Sequence, residues 1–249
     1  MLTMEFDLSS VSFSKMDKQR GLRIPEKLTP KLAEEIGIHI GDGSLNFYKR
    51  THLYSLRGHL SDDKKYYTDF IKFLYKDLFG LEVNMRRWPD VIGFQVGSKA
   101  IGTFKSSVLG LPLGPKKEIE IPNFILESDN SDVYGACIRG IFDTDGCLSF
   151  EKKSRQKPYY PRIMFTTTSK KLTENLVSLL RKRFNFNLSS WYKDYKNRNW
   201  NRLNYICVRG KRNLRKWFKI IGSNNPKNSF KFRYWDRHGY FQMNKNSSS

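Results

Sequence analysis

The chain has 249 residues, enough for one large domain or two small ones with real cores. With 39% hydrophobic and 14% aromatic residues it is globular rather than disordered, and a net charge of +21 at pH 7 calls for a polyanionic partner. The basic residues interleave with Tyr, Trp and Asn instead of forming one amphipathic helix, which places nucleic acid ahead of a membrane. Cys137, Cys147 and Cys207 are widely spaced, with no CxxC or Cys/His cluster, so neither a disulfide nor a zinc site is expected. The N-terminus lacks an apolar stretch after a charged start, and no apolar run approaches ~18 residues. The expectation is a protein that is not secreted, has no membrane partner, and works in the cytoplasm or in an organelle with its own genome.

Residues 1–28 show no sustained period and read as an N-terminal arm. Thr29-Pro30 caps a first helix that runs to Asp42-Gly43. Segments 44–50 and 52–60 read as a strand pair. Residues 62–79 carry helical spacing in Tyr66, Phe70, Phe73, Leu74 and Leu78, and Gly80 stops them. Strands over 81–88 and 91–98 are separated by Pro89-Asp90, a turn pair, and Lys99 opens a helix that closes at Leu109-Gly110. After a linker at 121–130, the same grammar returns over 131–241. A helix ends at Asp145-Gly146, strands lie at 146–153 and 159–167, and a helix covers 169–184. Strands at 187–195 and 203–210 flank a long polar turn, and a helix closes at Ile221-Gly222. The tail at 242–249 is polar and expected to be disordered.

The repetition is visible residue by residue. Setting 61–80 on 166–185 brings Thr68 onto Thr173 and Asp69 onto Glu174, and VGSK (96–99) falls on VRGK (208–211). Each unit reads αββαββα, giving an α+β fold of two pseudo-symmetric halves, 29–120 and 131–241.

The clearest repeat is in the helices that open each half. Ala33, Gly37 and Gly41 fall four apart, as do Ala136, Gly140 and Thr144, so each helix has a stripe of small side chains on one face. Such stripes let two backbones approach closely. If they face each other, Asp42 and Asp145 meet at the negative ends of two helix dipoles, where like charges and macrodipoles both disfavour them. A hard divalent cation with oxygen ligands, Mg²⁺ or another, answers that arrangement. The simpler alternative is that each Asp-Gly only ends its helix by turn chemistry. His39 stands alone in the first motif and gives no ligand spacing, so it is expected to be packed.

Glu35–Gly43 (EIGIHIGDG) and Ile138–Gly146 (IRGIFDTDG) resemble the motifs of the LAGLIDADG homing endonucleases in their monomeric, two-motif form. The second matches closely. The first has Ile40 where the second has Asp143, yet both keep the acid before the final Gly. The resemblance implies that Asp42 and Asp145 hold metal, with the preceding carbonyls of Gly41 and Thr144 as backbone ligands. It also implies that Lys116 and Lys227, each directly after a Pro, lie near the scissile phosphates; Lys117 competes with Lys116 for that role. By the same resemblance the sheets form a saddle on the major groove of a long duplex target, cut across the minor groove to leave short 3′ overhangs. Candidate DNA contacts are Lys49, Arg50, Arg57, Arg86 and Arg87 in the first half. In the second they are Lys152, Arg155, Lys157, Arg162, Lys193, Lys196 and Arg198. The expectation is a free-standing, intron-encoded monomer. A non-catalytic binder on the same fold, an intron-RNA maturase or a DNA-binding regulator, is the other reading.

Overall fold

The computed structural model describes residues 4–154, 156–194 and 202–242. Its elements are α1 (Lys15–Gln19), α2 (Pro30–Asp42), β1 (Gly43–Tyr48), β2 (Thr51–His59), α3 (Leu60–Tyr66), α4 (Lys72–Phe79), β3 (Arg86–Trp88), β4 (Val91–Gly97) and α5 (Lys99–Thr103). They continue as α6 (Asn123–Leu126), α7 (Ser131–Asp145), β5 (Cys147–Glu151), β6 (Tyr160–Thr167), α8 (Lys170–Ser178), β7 (Leu188–Lys193), β8 (Leu203–Arg209), α9 (Lys211–Ile220) and α10 (Pro226–His238). A π-helical turn, Tyr67–Ile71, joins α3 to α4, and similar turns at Phe104–Val108 and Leu179–Arg183 extend α5 and α8.

The Thr29 hydroxyl accepts the Leu32 amide at 3.2 Å, and Pro30 opens α2 where a missing N–H costs nothing. The stripes of α2 and α7 do face each other. A Cβ added at Gly37 would lie 2.1 Å from the carbonyl oxygen of Cys137, and one at Gly140 would lie 2.3 Å from that of Glu34. Only glycine admits backbones this close. The crossing brings the two halves together around a shared pair of helices.

Each half carries a four-stranded antiparallel sheet, ordered β1-β2-β4-β3 in the first and β5-β6-β8-β7 in the second. The identical order is the duplication seen in three dimensions. Alternation sends Leu45, Tyr54, Leu56, Ile92 and Phe94 onto the helices in the first sheet, and Leu148, Ile163, Phe165, Ile206 and Val208 in the second; all are buried. The opposite face of each sheet is left open. Lys49 and Arg50 turn the first hairpin with φ of 46° and 64°, the left-handed pair that a tight two-residue connection between twisted strands demands.

Three elements depart from the sequence expectation. The strand expected over 81–88 pairs only over Arg86–Trp88, because Leu81 and Val83 turn into the core instead of extending the ladder. Within residues 1–28, α1 packs on the first half: the buried Asp17 carboxylate accepts the amides of Lys99 and Ala100 at 3.1 and 3.2 Å, at the start of α5. Beyond Ile221, α10 adds a helix to the second half. Asn225 caps it, Pro226 opens it, and Trp235 is buried with its indole N–H on the Tyr159 carbonyl at 2.7 Å.

Candidate active site and nucleic-acid interface

The crossing of α2 and α7 sets their last residues side by side. A Cβ at Gly41 would lie 3.4 Å from the Asp145 carboxyl carbon, so the two motif aspartates converge. Asp42 is half-buried and accepts a hydrogen bond from the Tyr67 hydroxyl at 2.7 Å. Burial pushes its carboxyl up to about 7; Asp145 and Asp63 add to the rise, while Tyr67 and Lys116 oppose it. Asp145 lies at the solvent-facing rim, yet partial burial of its carboxyl raises its pKa as well, against the pull of Lys116.

The Lys116 ammonium reaches into this space. It donates to the carbonyls of His39 at 3.3 Å, Ile40 at 2.8 Å and Gly41, at the C-terminal end of α2 where helix carbonyls lack partners. Burial lowers its pKa, and Asp145 and Asp42 hold it up. The ammonium thus rests on the carbonyls at the end of α2, within electrostatic reach of both carboxylates. Among the described residues no cluster of three or more His, Cys, Asp or Glu side chains could hold a metal. The donor set here is two carboxylates and main-chain carbonyls, which suits a hard divalent ion that keeps water and substrate phosphate as its other ligands.

Lys227 is placed differently. It lies on the first turn of α10, with its ammonium 3.0 Å from the Asp63 carboxylate and 3.6 Å from that of Asp62. Asn225 also donates to Asp63, at 3.0 Å, and to the Asp143 carbonyl. Asp143 is buried and binds the start of α10: Ser223 and Asn228 donate to one carboxyl oxygen and the amides of Asn224 and Asn225 to the other. Burial raises its carboxyl to about 7 against those bonds. Lys231, absent from the sequence candidates, donates to the Leu148 carbonyl at 3.2 Å, just past the second motif. Its position four residues after Lys227 puts it on the same helical face, but only a helix over 226–238 makes that spacing meaningful.

Beneath the site Glu35 and Lys105 form a fully buried ion pair at 2.6 Å, roofed by the Tyr54 and Tyr75 hydroxyls. His39 is wholly buried and stacks on Tyr54, with ring centroids 5.6 Å apart. Neither of its ring nitrogens has a hydrogen-bond partner among the described residues, and burial keeps it neutral.

Strand register sorts the basic candidates. Arg57 and Arg86 both pair with Gly93 and project from the open face, Arg57 stacking over Trp88 with its guanidinium 4.9 Å from the ring centre. Arg87 pairs with Ile92 and points the other way. Lys49 and Arg50 sit at the exposed hairpin tip. In the second half Arg162 is on the open face, bonded to Glu151 at 3.0 Å and Ser149 at 3.3 Å. Lys193 ends β7 on that face opposite Leu203. Lys152 is exposed after β5, and Lys157 lies over the Tyr240 ring at 4.2 Å. Arg155, Lys196 and Arg198 lie outside the described residues. Arg209, which the sequence candidates omit, also faces out, bonded to Ser189 at 3.0 Å.

Two crossing helices that end in convergent aspartates, each followed by an open-faced four-stranded sheet, make up the duplicated architecture. Residues 132–222 match the family described as LAGLIDADG-like domain. The fold is that of I-WcaI bound to its DNA recognition sequence (TM-score 0.56, 17% identity, 88% of this chain and 92% of that one). It is similar also to I-DmoI in complex with DNA and Ca (TM-score 0.52, 16% identity, 84% and 98%) and to I-GzeII in complex with a DNA target (TM-score 0.52, 12% identity, 85% and 90%). The chain therefore has the fold seen in the LAGLIDADG homing endonucleases, and residues 132–222 match a LAGLIDADG-like domain. A curated relative, glutamine--fructose-6-phosphate aminotransferase [isomerizing] of Methanocaldococcus jannaschii, is 28% identical over 204 residues, which make up 81% of this chain. The chain spans only 17% of that relative's length.

Proposed function

We propose that the protein is a site-specific double-strand DNA endonuclease, acting as a monomer inside the cell on a long pseudo-palindromic target, with Mg²⁺ or another divalent cation held by Asp42 and Asp145. The observation that carries this reading is the convergence of those two carboxylates at the ends of crossing helices, with the Lys116 ammonium on the adjacent carbonyls of α2. A bound cation would supply Lewis-acid polarisation of the scissile phosphate and lower the pKa of its water.

The chain's own groups account for the rest. Asp42, oriented by Tyr67, and Asp145 supply the negative charge that recruits a cation, and the carbonyls of Gly41 and Thr144 stand beside them. Lys116 neutralises charge building on the phosphate oxygens as water attacks phosphorus and the 3′ oxygen departs. Lys227 and Lys231 would serve the second strand from α10. The open sheet faces hold the duplex, Arg and Lys on phosphates fixing register and other side chains reading base edges.

The test begins with selection from a randomised duplex library, then adds Mg²⁺ and sequences the cut ends. Asp145→Asn should abolish cleavage of the selected site while leaving affinity within about tenfold, because a lost metal ligand harms the transition state more than the phosphate contacts. A fully active Asp145→Asn protein would remove the metal role. Specific binding without cleavage by the unaltered chain would favour a DNA-binding regulator, and tight binding only to structured RNA a maturase.

A further inference from the structure

In the two rows nearest the motif aspartates, the sheet faces turned away from the helices carry different chemistry in the two halves. In the first sheet the row two residues past Asp42 runs Ser44, Ser55, Gln95 across β1, β2 and β4. The corresponding row past Asp145 runs Cys147, Met164, Cys207 across β5, β6 and β8. The next row on the side of Asp42 in the first half is Arg57, Gly93, Arg86. Its counterpart is Thr166, Tyr205, Trp191. Hydroxyl, amide and guanidinium groups in one half are thus replaced by sulfur, methyl and aromatic groups in the other.

The remaining guanidiniums follow the same division. Among the described residues neither Arg57 nor Arg86 has a carboxylate partner, whereas Arg162 is bonded to Glu151 and Arg209 to Ser189 within its own sheet. Trp191 is 41% exposed and stacks on Tyr205 with ring centroids 5.3 Å apart and planes 9° apart. A cross-strand aromatic pair stabilises a sheet anywhere. Leaving a large apolar surface open on the face of a protein with charge +21 is a cost unless something apolar covers it. In the major groove the one apolar feature of a base edge is the thymine methyl, while guanine offers a bidentate target for Arg and adenine one for Gln.

We infer that the second half reads thymine methyl groups through Met164, Thr166 and Trp191, and that the first half reads purine edges through Gln95, Arg57 and Arg86. The half-site under β5–β8 is then thymine-rich on its groove face, and the half-site under β1–β4 is guanine-containing. This rests on the endonuclease reading in so far as it takes duplex DNA to be the ligand.

The experiment uses the full chain and the selected duplex, without divalent metal. Thymines are replaced by deoxyuracil in one half-site at a time, which deletes the C5 methyl and nothing else. Arg57→Ala identifies the first half-site by the base preference it relaxes. Uracil under the second sheet should weaken binding by about threefold to fourfold per buried methyl, so that two or three replacements give a loss on the order of tenfold or more. The same replacement in the first half-site should change affinity less than about twofold, and Trp191→Ala should shrink the uracil effect in the second half-site. Specific binding that is indifferent to uracil, or equally sensitive in both halves, overturns this assignment alone. Failure to select any duplex sequence overturns the endonuclease reading with it.

Discussion

Replacing Asp42 by Asn should make the metal-free protein more stable while costing it cleavage. The Asp42 carboxyl stands near 7 in the folded chain, raised mainly by burial and further by Asp145 and Asp63, against 3.8 for an unperturbed group. Between those values the folded state holds a proton that the unfolded state has released, so stability falls as pH rises through this window and stays lower above it. A shift of about three units corresponds to about 4 kcal/mol, which partial exposure of the side chain reduces to roughly 2–3 kcal/mol. Asparagine titrates nowhere in this range. It can still accept from Tyr67, and its amide can face Asp145 without repulsion. Urea unfolding with a chelator present should therefore show Asp42→Asn more stable than the parent by about 2 kcal/mol near pH 8, with the gap closing towards pH 4. A residual slope will persist in the variant, since Asp143 is also raised to about 7. Added Mg²⁺ should stabilise the parent and narrow the difference at high pH. If the variant is no more stable near pH 8, or its advantage is the same near pH 4, the electrostatic account of the site is wrong.

Three further outcomes test the scaffold and the ligand. Gly140→Ala drives a Cβ to 2.3 Å from the Glu34 carbonyl, a backbone atom that cannot step aside, so the crossing must open. The loss in urea unfolding should exceed the ~1–3 kcal/mol of ordinary overpacking, and cleavage should fall as the aspartates separate. Lys105→Met leaves the Glu35 carboxylate buried without its cation, at a cost of about 3–5 kcal/mol; a loss under about 1 kcal/mol would mean the pair is not ionised. Affinity for the selected duplex should drop on the order of a thousandfold between about 50 and 200 mM salt if roughly six phosphates are contacted, and a flat response in a filter-binding titration would speak against DNA.

Much of this molecule is legible from local pattern. The stripes of small residues, the Asp-Gly ends, the strand alternation and the repeated VGSK and VRGK all depend on neighbours a few positions away, and they yield two αββαββα halves and both aspartates. Helix α10 uses the same signal as α2, Asn225-Pro226 echoing Thr29-Pro30. Local pattern does not reveal it, because the segment is polar and its buried anchors, Asn228 and Trp235, bond to Asp143 and Tyr159 far away in the chain. Lys116 and Lys227 occupy equivalent places after a proline, yet one ammonium lies among the carbonyls at the end of α2 and the other on Asp63, 164 residues away. Spacing cannot distinguish them, since the decision is made by groups brought together only in the folded chain, within the first half for Lys116 and across the halves for Lys227. The sheets give the same lesson. Alternation says that neighbouring basic residues in a strand take opposite faces, as Arg86 and Arg87 do, but not which one faces outward. Register against a buried partner settles that, because Ile92 must lie against the helices and Arg87, paired with it, is carried to the same side.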